Sequence, residues 1–139
     1  MQTKQDLYDE LAFYTLAHPD PRFIHQHVVD AFAAQYADEE TKPIGVVFAL
    51  VGLFLYVEKR FTGKQVQRVH MDLARRRREW TRPALPDERG LVGIEDVLAA
   101  EPGEARDAMI RVWCESVWDA WGQSHTSIRA LLQDELGIG

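Results

Sequence analysis

Residues 43–61 read PIGVVFALVGLFLYVEKRF, and no charged side chain interrupts them from Ile44 to Val57. A membrane span needs about 20 apolar residues, so this stretch is too short to cross a bilayer. Its length suits a helix that is apolar on nearly every side and enclosed by other helices. Gly45, Ala49 and Gly52 follow at i, i+4 and i+7, a smooth stripe on which a neighbouring backbone can come close. Glu58, Lys59 and Arg60 mark the return to water.

The flanking segments carry the one-sided apolar patterns that such a helix needs for cover. Over residues 5–18, Leu7, Leu11, Tyr14 and His18 share a face, with Tyr8 and Thr15 beside them. His18-Pro19-Asp20-Pro21 then breaks the helix, because residues before proline avoid the α region. Asp20 and Pro21 suit the N-cap and first turn of a second helix, predicted from Arg22 to about Ala37. On a helical wheel its apolar arc holds Phe23, Ala34, His27, Ala31, Ile24, Gln35, Val28 and Phe32. Gln35 lies near the middle of that arc, His27 towards one flank and His25 at the other. Asp30 falls just outside, about 60° from His27 by the i, i+3 relation.

Downstream, Thr62 is the expected cap of a fourth helix running from Gly63 to roughly Trp80, with Val66, Val69, His70, Leu73 and Trp80 inward. Arg75, Arg76, Arg77 and Arg78 would encircle its last turns, where positive charge suits a helix C-terminus. Residues 81–93, TRPALPDERGLVG, read as a strap across the bundle, followed by a short helix from about Ile94 to Ala100. The last long helix begins near Glu104, with Ile110, Trp113, Cys114, Val117, Trp118 and Trp121 on one broad face. Either it continues past Gly122, or a kink there starts a separate terminal helix. The fold class is therefore all-α: a bundle of four long helices plus one or two short ones around residues 43–61, as a single domain over residues 1–139.

Composition narrows the function. The net charge of −6 makes the surface as a whole repel nucleic acid and anionic membrane, so neither is an expected partner. Four consecutive arginines cannot share one helix face, and the run reads as a solvated helix end. A single cysteine, Cys114, rules out an internal disulfide. It lies on the tryptophan stripe and reads as core. The start, MQTKQDLYDEL, lacks an apolar signal region, which makes a cytoplasmic location the expectation.

In residues 25–36, HQHVVDAFAAQY, a histidine (His25) precedes Asp30-Ala31-Phe32 and then Gln35, and CESVWDAW (residues 114–121) follows far downstream. With these features the chain resembles, from about Tyr8 to Trp121, a group of small bacterial all-helical proteins catalogued as a domain of unknown function. Members often place a histidine directly after the glutamine, where this chain has Tyr36. The resemblance implies a helical fold and a shared role for these polar residues, and it implies no activity.

Histidines on or beside apolar stripes of different helices (His18, His27, His70, His125) are the sharpest chemical signal, since bundles build sites from inward-pointing side chains. The catalytic candidates are His25, His27 and Asp30. Gln35, His70, Trp118 and Trp121 are the ligand-binding candidates. His27, His70 and His125 are the candidate ligands of a divalent metal such as Zn²⁺, which neutral imidazoles suit. No HxxxH or HExxH pair is present. An amide at the centre of a core-facing arc costs about 1–3 kcal/mol unless bonded: either Gln35 pairs with His25, His70 or a tyrosine hydroxyl inside the bundle, or it faces a ligand cavity, and the cavity is the prediction. Two functions stay open: a small-molecule site, with or without a metal, and a non-catalytic interaction module such as a homodimer.

Overall fold

The computed structural model describes residues 1–18 and 20–139; the expected break at Pro19 falls on the residue outside that set. Regular structure among the described residues is entirely helical. It comprises α1 (Lys4–Ala17), α2 (His25–Gln35), α3 (Pro43–Lys59), α4 (Gly63–Ala74), α5 (Ile94–Ala99), α6 (Glu104–Ala120), a 3₁₀ turn (Gly122–Ser124) and α7 (His125–Leu136). The apolar stretch is the 17-residue α3, with Pro43 in its first turn and Val46, Val47 and Ala49 to Leu55 buried. It packs against α2, α4, α6 and α7. No helix among the described residues is long and apolar enough to cross a membrane.

Local chemistry sets several helix ends. Thr3 and Asp6 exchange side-chain and backbone bonds at the start of α1, and Thr62 and Gln65 do the same for α4; such reciprocal pairs satisfy two orphan donors each. The second helix begins at His25 rather than Arg22, with Ile24 rather than Asp20 at its N-cap; Asp20 instead caps the preceding turn. Its carboxylate accepts the N–H groups of Arg22 and Ile24, both at 2.9 Å, in a turn that precedes α2. The kink at Gly122 is real, and α7 is the separate terminal helix.

Three expectations need correction. First, α4 stops at Ala74 rather than near Trp80, and Arg75 to Arg78 are exposed in the turn and extended chain that follow. Adjacent guanidiniums with no apolar partner favour leaving the helix. Trp80 then reaches the core by another route, packing edge-on against Phe48 at 5.4 Å, while Arg78 pairs with Glu135 of α7 at 2.8 Å. The strap therefore begins before residue 81. Second, Asp30 is only 3% exposed although the wheel put it outside the apolar arc. α2 packs against α1, α3, α4 and α6, and the side that carries Asp30 is pressed onto α3 at Gly52, so the water-facing side is left to Ala33. Third, the smooth stripe is used at one end only. A Cβ on Gly52 would overlap the Asp30 carboxyl, whereas Gly45 is exposed, with Thr41 Cγ2 nearest at 3.9 Å. Close approach of α2 to α3 is thus concentrated at Gly52, and the buried acid lies directly on that backbone.

Candidate functional site

A cleft of about 540 Å³ opens where the start of α2, the end of α3, the start of α4 and the first half of α6 converge. From α2 and the turn before it come His27, Ile24, Arg22 and Asp20; α3 and its exit supply Tyr56, Arg60, Phe61 and Thr62. Asp107, Ala108 and Arg111 of α6 complete the wall.

His27 is 3% exposed and lies face to face with Tyr56, ring centroids 3.5 Å apart and planes within 8°. The Arg111 guanidinium sits 4.9 Å from the centre of the same Tyr56 ring and donates to Val57 O at 3.1 Å. A guanidinium, a phenol and an imidazole are thereby held as neighbours by three different helices. Burial, with Arg111's charge added, brings the His27 pKa down to about 4 against a weaker opposing pull from Asp20. The ring is therefore neutral at pH 7. Its Nδ1 is buried with no partner. Burial pushes the Tyr56 hydroxyl up to about 12, so it stays a phenol.

One turn on, Asp30 accepts a bond from Gln26 Nε2 at 3.1 Å, and its Oδ2 has no partner. Burial raises its pKa well above the ordinary carboxyl value, because an enclosed carboxylate loses its hydration. The Cys114 thiol, buried and near enough to feel Asp30's charge, is likewise raised. It has the inert, core character expected from the sequence.

The remaining sequence candidates stand elsewhere. His25 pairs with Thr15 Oγ1 at 2.9 Å, between α1 and α2. His70 Nε2 bonds Phe48 O at 2.7 Å, and His125 Nε2 bonds Trp118 O at 2.8 Å while stacking on the Trp118 ring. His27, His70 and His125 thus answer to three separate sets of partners. No group of three His, Cys, Asp or Glu that could hold a metal ion occurs among the described residues. This donor set does not fit the tetrahedral site expected for Zn²⁺.

Gln35 meets protein rather than a cavity. Its Nε2 donates to Arg89 O (3.2 Å) and Val92 O (2.9 Å), and its Oε1 accepts from Trp113 Nε1 at 2.8 Å. The amide thereby ties the strap to α6. Trp118 Nε1 donates to Glu58 Oε2 at 2.6 Å, a carboxylate that also receives Arg129 of α7. Trp121 lines a different cleft, about 370 Å³, under the strap, with its Nε1 unpaired.

Sequence reasoning missed Tyr56, Arg22, Arg60 and Arg111. Arg111 was within reach, since it precedes Cys114 by three residues and Trp118 by seven, on the flank of the buried face. Tyr56 is the first polar-tipped side chain in residues 44–57. Nothing in the pattern marked Arg22 or Arg60, whose place depends on how two chain reversals meet.

A model of a family described as a family of unknown function, DUF5946, matches residues 4–122. No curated protein and no solved structure matches the chain.

Proposed function

We propose that this chain, which belongs to that family of unknown function (DUF5946), binds a small polar molecule in the cleft beside His27. One observation carries the reading: His27 departs from the other histidines. His18, His25, His70 and His125 each spend a ring nitrogen on a protein partner, at 2.8, 2.9, 2.7 and 2.8 Å. His27 lies on a cleft wall, almost wholly enclosed, with Nδ1 unpaired. An unpaired buried polar atom costs about 1–3 kcal/mol, and a catalytic or ligand-binding role is one of the accounts that such an atom calls for. A neutral imidazole there can accept a hydrogen bond, or a proton, from a guest molecule. Asp30, one turn along α2, has its carboxyl pKa raised by burial, which disfavours a negative charge there.

The test is ligand-observed NMR with a library of polar fragments on the parent and on His27→Leu, with circular dichroism confirming that the variant is folded. Fragments that contact the parent and lose contact in the variant are the expected result. A library that treats the two proteins alike would remove His27 from any binding role.

A further inference from the structure

We infer that the molecule taken by this cleft is an organic anion: a carboxylate or phosphate group carried on an apolar body. The inference rests on the cleft reading above and adds the ligand's charge and shape.

Three arginines converge on the cleft: Arg22, Arg60 and Arg111. Arg111 is held in place by the carbonyls of Tyr56 and Val57 and by the Tyr56 ring. Among the described residues, the guanidiniums of Arg22 and Arg60 have no hydrogen-bond acceptor or carboxylate partner. The two acids on the wall do not serve them. Asp20 spends both oxygens on the N–H groups of Arg22 and Ile24, and Asp107 accepts the Tyr14 hydroxyl at 2.9 Å. Arg111 also pairs with Glu115 at 3.6 Å, so in a chain of net charge −6 the two exposed guanidinium forks of Arg22 and Arg60 stay open at the cleft mouth, and such a fork is the group best shaped for bidentate carboxylate or phosphate.

Backbone geometry points to the same place. Among the described residues, Phe23 and Arg60 are the non-glycine positions with positive φ, both at 59°. Phe23 separates two lining residues, and Arg60 is itself one. Arg60 ends α3 in the left-handed conformation, a position where glycine is the usual occupant because it has no Cβ to strain. Strained non-glycine residues cluster at ligand sites. An arginine kept at a glycine position is accounted for by its head group. Ile24, Phe61 and Ala108 and the Tyr56 ring supply apolar wall. The volume lies within the span of about 300–1,000 Å³ typical of small-molecule pockets, more than a lone inorganic anion would fill.

The experiment is isothermal titration calorimetry at low ionic strength with benzoate, phenyl phosphate and the uncharged benzamide. Arg60→Gly is the informative variant: it deletes the guanidinium while relieving the backbone, so it should melt no lower than the parent. Benzoate or phenyl phosphate should bind saturably and about tenfold tighter than benzamide, and Arg60→Gly or Arg22→Gln should each cost about tenfold. Arg76→Gln, in the exposed turn after α4, should leave the affinity unchanged. Benzamide binding as well as the anions would overturn the anion inference and leave the cleft reading standing. Absence of saturable binding by all three probes would overturn both. Anion affinity surviving in an Arg22→Gln/Arg60→Gly double variant would move the site elsewhere and refute the assignment.

Discussion

Replacing Gln35 by Leu removes an amide that makes three bonds and leaves the volume nearly unchanged, so the effect is one of polar pairing rather than of a cavity. Trp113, 0% exposed, would keep a buried indole N–H with no acceptor, a loss of about 1–3 kcal/mol. The strap carbonyls of Arg89 and Val92 lie in half-buried chain, recover water in part, and forfeit at most about 0.5–1.5 kcal/mol each. Leucine at a site only 7% exposed returns roughly 1 kcal/mol of apolar burial. The expected net loss is about 2–3 kcal/mol, a fall in Tm on the order of 10 °C for a chain of this length. Urea titration followed by tryptophan fluorescence should give a lower midpoint with an unchanged slope. Hydrogen exchange adds a local signature, because the N–H groups of Leu91 and Val92, bonded to Ser116 Oγ at 3.1 and 3.3 Å, should open when the strap loosens. A variant that melts within a degree or two of the parent, with those amides still protected, would refute the reasoning and reinstate the cavity expected from the sequence.

Two further measurements address the central packing and the cleft. Gly52→Ala should cost about 1–3 kcal/mol, since its Cβ would enter the Asp30 carboxyl, while the open Gly45→Ala should be neutral or gain up to about 0.5 kcal/mol from helix propensity; equal melting of the two variants would disprove the close approach at Gly52. His27 has its pKa lowered from 6.5 to about 4 in the folded chain, so between those values the unfolded chain takes up a proton that the folded chain refuses. Its share of stability is therefore complete above pH 6.5 and drains away as the pH falls towards 4, by roughly 3 kcal/mol in total. The Tm difference between parent and His27→Leu, followed from pH 7 to pH 4, should move steadily in the variant's favour, and a constant difference would show that the ring is not buried as described.

Much of the architecture could be read from the chain alone. An uncharged stretch of this length has one economical fate in water, which is enclosure by other helices, and α3 has it. Thr62 and the Gly122 kink follow from local rules of capping and backbone freedom, which need no knowledge of distant residues. Even so, α4 ends six residues early, and Trp80 packs from the extended chain beyond it onto Phe48, a contact across 32 positions that no local pattern shows.

The candidate site depended far more on tertiary structure. Periodicity showed that His27 and Gln35 point inward, and it could not say what stands opposite. Opposite Gln35 are an indole N–H and two strap carbonyls that satisfy it; opposite His27 are a phenol ring and a cleft, and Nδ1 is left unpaired. The same sequence signal, a polar residue on a core-facing arc, thus has opposite outcomes within one helix. Arg22, Arg60 and Arg111 come together only because the turn before α2, the left-handed end of α3 and the first half of α6 meet in space. Local composition decides which segments become helices and which faces are apolar, because those are nearest-neighbour energies. Which polar groups find partners is decided by the packing of segments far apart in the chain, and at this cleft the packing gathers three arginines and leaves His27 Nδ1 buried without a partner.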